Sequence, residues 1–209
     1  SKTVNIPSSI TGGYYYVGMI VDINDQVSES DENNNDDYDS GRVRVYELSD
    51  LVPRTTSSSC STPTTGTVGD YLTSSISIQY ENDVSSTHGQ STGAFYWAMY
   101  LSTDSTITTS DTQVGSDQYS SSLSSGSYRT DSLSSSTRIP SSMNAGTYYW
   151  GYILDVDSDV DEASESNNAR TCNQITLQED LPDLEAVSVS TSSSSAIMGD
   201  TITVQYRIN

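Results

Sequence analysis

The sequence predicts an all-β chain made of repeated β-sandwich modules, and three observations lead to that prediction. Apolar residues recur at every second position in several segments, which is the period of a half-buried strand. Clusters of Gly and Ser separate these segments, and no segment sustains the apolar period of an amphipathic helix. Stretches of sequence also return at a fixed offset, as they do in arrays of repeated modules.

The alternating pattern predicts where the strands lie. Three segments each place four apolar residues on one face: Leu72, Ile76, Ile78 and Tyr80; Phe95, Trp97, Met99 and Leu101; Tyr148, Trp150, Tyr152 and Leu154. Strands are predicted at 51–60, 68–82, 93–102, 112–119, 127–139, 146–157 and 169–177. Such a set is typical of a sandwich with Greek-key connections.

The internal repeat predicts the domain organisation. Ile6–Ser9 matches Ile139–Ser142, Gly13–Asn35 matches Gly146–Asn168 and Asp50–Leu51 matches Asp183–Leu184, all at an offset of 133, whereas Ile76–Tyr80 matches Ile202–Tyr206 at 126. We therefore expect one complete module at 51–177. The C-terminal part of another copy precedes it at 1–47, and the N-terminal strands of a third follow at 181–209. The linkers, Glu47–Ser49 and Gln178–Pro182, are short.

Charge and composition narrow the class of partner and the compartment. The chain has 8 Lys and Arg against 28 Asp and Glu, a net charge of −20, which disfavours nucleic acid and anionic membranes as partners. No apolar run is long enough to span a membrane. Abundant Ser and Thr indicate an extracellular or cell-surface protein, and the hydroxyl runs are either solvated or O-glycosylated.

The two cysteines, Cys60 and Cys172, are expected to form one disulfide. An even pair in an exported protein is more often bridged than free. The two residues fall on the first and last predicted strands, which are commonly neighbours in sandwiches of this kind. Two isolated thiols in a reducing compartment are the alternative.

Several short motifs occur in the order seen in one known family. They are Asp50–Leu51, Gly69–Asp70, Tyr100–Asp104 followed by Asp111, Ile139–Pro140, Gly146–Tyr148 and the acidic segment 155–168. The chain resembles the cell-adhesion-related domain of bacteria (CARDB) over the central module and both partial copies. The resemblance implies an immunoglobulin-like sandwich that is repeated in surface and secreted proteins of bacteria and archaea. It implies no catalytic activity.

The acidic segment is the strongest chemical signal and predicts a calcium site. Its candidate ligands are Asp155, Asp157, Asp159, Glu162, Glu165, Asn167 and Asn168. Calcium takes six to eight oxygen ligands in loose geometry, and closely spaced acids supply several from one loop. Alternatively, these side chains accept backbone N–H groups within a hairpin turn, and the rest are solvated.

Two further sets of oxygen donors are candidate ligands. The first copy repeats much of the acidic segment: Asp22, Asn24, Glu29 and Glu32 stand where the central copy has Asp155, Asp157, Glu162 and Glu165. Asp104 and Asp111 bracket a hydroxyl-rich loop and form either a second cation site or turn caps.

The sequence does not support catalysis. His88 is the only histidine, and no motif places a nucleophile beside it. We predict a structural and adhesive module of an extracellular filament or surface array. The alternative is an accessory carbohydrate-binding module of a secreted enzyme, because Tyr14–Tyr16 and Tyr148–Trp150 suit sugar stacking, although alternate members must enter the core. Surface glycans are therefore possible partners.

Both partial copies are expected to expose apolar faces. The faces are Tyr15, Val17, Met19 and Val21 at one end, and Ile202, Val204, Tyr206 and Ile208 at the other. Uncovered apolar faces and unpaired strand edges favour contact with another chain. The expected partners are other copies in a head-to-tail filament or adjacent repeats of a longer polypeptide.

Overall fold

The computed structural model describes residues 1–181 and 184–209. Within them lie fourteen strands: β1 (Gly13–Ile20), β2 (Asp36–Val45), β3 (Leu51–Pro53), β4 (Cys60–Ser61), β5 (Thr65–Thr67), β6 (Ile76–Asn82), β7 (Phe95–Ser102), β8 (Thr112–Gln113), β9 (Gln118–Ser120), β10 (Tyr128–Leu133), β11 (Gly146–Ile153), β12 (Ala169–Gln178), β13 (Ala186–Thr191) and β14 (Val204–Ile208). The all-β prediction is confirmed. The chain divides into two compact units, Ser1–Gln178 and Glu179–Asn209.

Two sheets form the central sandwich. One has the order β10-β6-β3, with β4 also paired to β6. The other has the order β5-β12-β11-β7-β8, with β9 also paired to β7. All these pairs are antiparallel except β5 with β12. No helix in the described part of the chain has the length and hydropathy needed to cross a membrane.

The core lies between the two sheets and includes nearly all of the residues that the alternating pattern selected. Ile76, Ile78 and Tyr80 of β6 are completely buried, as are Trp150 and Tyr152 of β11. Their polar atoms find partners inside the sandwich. The indole of Trp150 donates to the carbonyl of Pro63 at 2.9 Å. The hydroxyl of Tyr152 donates across the core to the carbonyl of Gln79 at 2.8 Å.

The strand boundaries differ from the prediction at several points. The predicted strand 112–119 is two short strands, β8 and β9, and the strand predicted at 127–139 ends at Leu133. The predicted strand 51–60 is two strands, β3 and β4, joined by a loop, and β5 was not predicted. The strand predicted from residue 68 begins only at Ile76, because a turn at Gly69, with φ of 81°, interrupts it. This left-handed conformation favours glycine, which has no Cβ to clash.

The structure contains the predicted disulfide. Cys60 and Cys172 are bonded with their Cα atoms 6.0 Å apart. Cys60 lies on β4 in one sheet and Cys172 on β12 in the other, so the bond joins the two layers of the sandwich.

The segment between β2 and β3, predicted as a linker, is held against the central module. The N–H of Glu47 donates to the carbonyl of His88, and the carbonyl of Glu47 accepts from Gln90, both at 3.0 Å. Ser49 is buried, and its carbonyl accepts from Ala163 at 2.8 Å. The first hairpin, β1–β2, therefore lies in one compact unit with the sandwich.

The second unit contains one hairpin, β13–β14. Its strands pair antiparallel from Ala186 with Ile208 to Thr191 with Val204, and all their residues are exposed. Pro182 and Asp183, which belong to the predicted linker and to the repeat match, lie outside the described residues.

Candidate cation site

The loop that connects β11 to β12 is folded by its first acidic residue. Asp155 has φ of 47°, a left-handed conformation that Asp tolerates better than most residues. Its carboxylate accepts hydrogen bonds from the N–H groups of Asp159 at 2.9 Å and Val160 at 3.0 Å. Asp155 thus satisfies two backbone donors in the turn, as the hairpin interpretation expected.

Glu162 lies in the same loop and connects it to the start of the module. Its side chain is only 7% exposed. One carboxylate oxygen accepts from the N–H of Leu51, and the other accepts from the side-chain amide of Asn168 at 2.9 Å. Burial raises the pKa of Glu162 to about 7, and these two hydrogen bonds oppose part of that rise. Burial raises the pKa of Asp155 as well.

Three carboxylates meet at this point. Glu165 is exposed, and its carboxylate accepts from the N–H of Glu162 at 3.0 Å. One oxygen each of Asp155, Glu162 and Glu165 lies within 4.8 Å of the others. Within the described residues none of the three forms a salt bridge, so their mutual repulsion is not offset by a cationic side chain.

Two amide oxygens beside the cluster lack hydrogen-bond partners. Asn168 is buried and Asn167 half-buried, and the Oδ1 atoms of both are buried without a donor. Their amide nitrogens are used, because Asn168 donates to Glu162 and Asn167 donates to Asp50 at 3.0 Å. Carboxylate and amide oxygens together are the donor set that calcium prefers. The residues present therefore fit a hard divalent cation.

The remaining acids of the segment are not part of this cluster. Asp157 and Asp159 are exposed, and Asp159 contributes its backbone N–H to the turn. The structure thus brings together Asp155, Glu162 and Glu165, with Asn168 in contact with Glu162, whereas Asn167 bonds to Asp50.

The corresponding loop of the first copy has the same backbone contacts. Asp22, with φ of 45°, accepts from the N–H groups of Gln26 and Val27 at 2.8 Å each. Glu32 accepts from the N–H of Glu29 at 2.8 Å, as Glu165 does from Glu162. The acids shared by the two copies therefore build the turn in both. Asn24 and Glu29 are exposed, and a cation site in this loop stays a prediction.

Asp104 and Asp111 make the contacts expected of turn caps. Asp104 accepts from the N–H of Thr106 at 2.7 Å, and Asp111 accepts from the N–H of Thr108 at 2.8 Å. The loop between them places Ile107 against Tyr100 on the outer face of β7. The second cation site also stays a prediction.

Sequence reasoning did not identify Asn82 as a structural centre. Asn82 is the last residue of β6 and is completely buried. Its amide oxygen accepts from the N–H of Asp50 at 3.0 Å, and its amide nitrogen donates to the carbonyls of Gln90 at 2.9 Å and Leu123 at 3.2 Å. One side chain therefore joins three loops. The only sequence signal was an Asn at the end of an apolar strand.

His88 lies at the junction between the first hairpin and the central module. Its ring meets that of Tyr14 edge to face, with 6.1 Å between centroids. Its carbonyl accepts from Glu47. The position is explained by packing at the junction.

Comparison with known families identifies the fold. The CARDB family model matches residues 48–172, more than half of the chain. The chain belongs to the CARDB family. The resemblance drawn from the sequence motifs is thus confirmed for the central module, together with the immunoglobulin-like sandwich that it implied. CARDB is an adhesion-related family of cell-surface modules and not an enzyme family. Comparison with curated proteins finds no match.

Two of the solved structures that are similar to this CARDB chain come from Pyrococcus furiosus and Methanosarcina acetivorans. A CARDB domain from Pyrococcus furiosus, crystallised in complex with di-metal ions, is 16% identical; the match covers 64% of this chain and 96% of that one, with a TM-score of 0.42. A domain named "putative cell surface protein" from Methanosarcina acetivorans, solved by NMR, is 19% identical over 63% of this chain and 93% of that one, also with a TM-score of 0.42.

Proposed function

We propose that this CARDB chain is a structural and adhesive module of an extracellular filament or cell-surface array, stabilised by calcium and assembled head to tail. The cell-surface role is supported by the match to the CARDB family, and the calcium site by the group of three carboxylates, Asp155, Glu162 and Glu165, within 4.8 Å of one another. Extracellular calcium is available to such a site, and millimolar affinity suffices there.

The cluster needs a counter-charge that the described side chains do not supply. Burial disfavours the ionised forms of Glu162 and Asp155, which raises their pKa values, and the nearby negative charges raise them further. A bound divalent cation supplies the missing positive charge. Asp155, Glu162, Glu165 and the amide oxygens of Asn167 and Asn168 are the residues that would hold it.

A cation here would stabilise the whole module because of what Glu162 connects. This side chain bonds to Leu51 on the first strand of the module and to Asn168 just before β12. Ser49, next to that first strand, also bonds to the acidic loop through Ala163. A cation that fixes the acidic loop would therefore also fix the segment through which the chain enters the sandwich.

Thermal unfolding tests the calcium site. Calcium binds only the folded state, so the melting temperature should rise with free calcium, with a stabilisation of about 2.7 kcal/mol at a hundred times the dissociation constant. Glu165→Gln should weaken the response, whereas Asp161→Asn, an exposed acid outside the cluster, should keep it. Equal melting temperatures in excess chelator and in millimolar calcium would contradict the calcium site. The interpretation of the loop as a hairpin turn would then be the only one left.

Glycan adhesion is a second candidate function, and a specific surface favours it. On the first hairpin, Tyr16 and Tyr38 stack edge to face at 5.7 Å, and Arg42 and Arg44 lie 5.0 and 5.7 Å from the ring centre of Tyr14. These tyrosines are at least half exposed, and aromatic rings beside guanidinium groups suit acidic sugars. Saturable binding on a glycan array that Tyr16→Ala abolishes would support this function. A glycan array on which the chain binds no sugar would rule out this second function.

A further inference from the structure

The first hairpin has an apolar face whose counterpart in the central module is completely covered. The two hairpins correspond in register, since Gly13 pairs with Val45 as Gly146 pairs with Leu177. Two residues of β1 and the residue after its end match the β11 segment: Val17 with Trp150, Met19 with Tyr152 and Val21 with Leu154. The three side chains of the first hairpin are 49%, 64% and 51% exposed, and their equivalents are all 0% exposed.

The strand that covers this face in the central module is β6. The hydroxyl of Tyr152 on β11 donates to the backbone of Gln79 on β6, and the apolar residues of both strands belong to one core cluster. The residues of the C-terminal hairpin that match β6 are Ile202 with Ile76, Val204 with Ile78 and Tyr206 with Tyr80. They are 48%, 50% and 72% exposed, against 0% for each of their equivalents.

The two hairpins therefore carry residues that correspond to the two sides of the β6–β11 interface of the central module. Each of these two sides is exposed in its own unit. A two-stranded hairpin is marginally stable in water unless its apolar face packs against another element. In the central module of the same chain, the strand that matches β14 packs on the strand that matches β1.

We propose that the β13–β14 hairpin of a second copy of this chain packs on the apolar face of the β1–β2 hairpin, in the position that β6 and β4 occupy over β11 and β12. The inference deepens the head-to-tail assembly of the proposed function and rests on it. Each copy offers one acceptor face and one donor hairpin. Because the two surfaces differ, the contact propagates from copy to copy.

The native disulfide of the central module indicates which two residues should lie close together in this docking. Cys60 pairs in register with Ile78, and Thr191 pairs with Val204, which is the equivalent of Ile78. In the central module, Thr171 pairs with Gly151, and Cys172 follows Thr171. In the first hairpin, Tyr38 pairs with Gly18, and Asp39 follows Tyr38. Thr191 therefore corresponds to Cys60. Asp39 corresponds to Cys172 when the strand is counted from the Gly18–Tyr38 pair, because the bulge that follows contains residues 39–41 on β2 against 172–173 on β12. In the proposed contact, Asp39 of one copy and Thr191 of the next lie at disulfide distance.

Cross-linking tests the docking directly. Chains carrying Asp39→Cys are mixed with chains carrying Thr191→Cys under mild oxidation, and a disulfide-linked dimer is expected on a non-reducing gel. Ser190→Cys is the matched control, because it is the neighbouring residue and faces the other side of β13. Equal cross-linking at positions 190 and 191 overturns the proposed docking. A double variant, Asp39→Cys with Thr191→Cys, should give a ladder of oligomers, and a closed monomer overturns the second copy as occupant.

Sedimentation of uncross-linked chains separates failure of the docking from failure of the proposed assembly. The wild-type chain should associate, and Met19→Asp or Val204→Asp alone should abolish association, because each places a charge in the apolar contact. Association that survives both substitutions overturns this interface and leaves another head-to-tail contact in place. A wild-type chain that stays monomeric overturns the docking together with head-to-tail assembly, whereas the calcium response is measured independently of both.

Discussion

The backbone N–H of Leu51 donates a hydrogen bond to the buried carboxylate of Glu162, 111 positions later in the chain. The same carboxylate accepts from Asn168, which precedes β12. One ionisable side chain thus joins the first strand of the module to the loop before its last strand. The ionisation of Glu162 should consequently affect the stability of the entire sandwich.

We predict that the calcium-free module becomes less stable as the pH rises from 5 to 8. The folded state holds the proton of Glu162 up to a pKa of about 7, whereas the ordinary value is 4.5. Between these values the folded state binds more protons than the unfolded state, so the free energy of unfolding falls as the pH rises. The loss should reach roughly 1 to 3 kcal/mol. Denaturant unfolding in chelator at both pH values measures it.

Glu162→Gln is the control for this pH effect, because the amide cannot ionise. The variant should lose most of the pH dependence, and Glu179→Gln, which is exposed and outside the cluster, should keep it. In saturating calcium the wild-type dependence should flatten, since a bound cation favours the ionised carboxylate. An unfolding free energy of the wild type that increases from pH 5 to 8 in chelator contradicts the prediction.

Removal of the disulfide should destabilise the module substantially. Cys60 and Cys172 are 112 positions apart, and closing a loop of that length restricts the unfolded chain by about 4 to 5 kcal/mol in the chain-entropy model. The double variant Cys60→Ala with Cys172→Ala should show this loss in denaturant unfolding. Intact mass without reductant provides the control, since two alkylatable thiols in the wild-type chain would show that the bond is absent.

Gly151→Ala should be among the most damaging single substitutions. A Cβ atom at this position would lie 2.1 Å from the side chain of Ile107 and 2.6 Å from the carbonyl of Arg170. Overpacking of this kind costs about 1 to 3 kcal/mol, and more where backbone must move. Gly93→Ala is the matched control, because its nearest contact would be 3.8 Å away. Equal melting temperatures for the two variants would contradict this packing.

Asn82→Ala should destabilise the module by about 2 to 4 kcal/mol, because it removes three hydrogen bonds of a completely buried side chain, one of them to the buried residue Leu123. Hydrogen exchange should show the loss at the N–H of Asp50, which loses its acceptor. Asp83→Ala changes the neighbouring exposed residue and should alter stability little. Unchanged protection of Asp50 in Asn82→Ala would refute the role given to this side chain.

The strands of the core were predictable because their periodicity is local. Ile76, Ile78 and Tyr80 alternate with less buried residues, and this alternation needs no knowledge of the partner strand. β5 was not predictable from its own residues. Thr65–Thr67 is a strand because it pairs in parallel with β12 at the far end of the module, and such pairing has no local signature.

The candidate site was predictable in composition and not in geometry. The repeat singled out Asp155, Glu162 and Glu165 as shared positions, and these are the residues that the structure brings together. Their contacts depend on distant chain segments. The hydrogen bond from Leu51 to Glu162 forms only when the first strand reaches the acidic loop, so the burial of Glu162 could not be deduced from its neighbours in sequence.

The bond between Cys60 and Cys172 also determines how the module behaves under mechanical load. A pulling force transmitted through a tethered array enters near Leu51 and leaves near Leu177, and the bond lies across that path. The 112 positions that it encloses would extend by roughly 380 Å if they unravelled. The disulfide prevents this extension, so only the short segments outside the loop that it encloses can stretch. In the proposed array, each module would thereby be a nearly inextensible element of the tether, even after its sheets have separated.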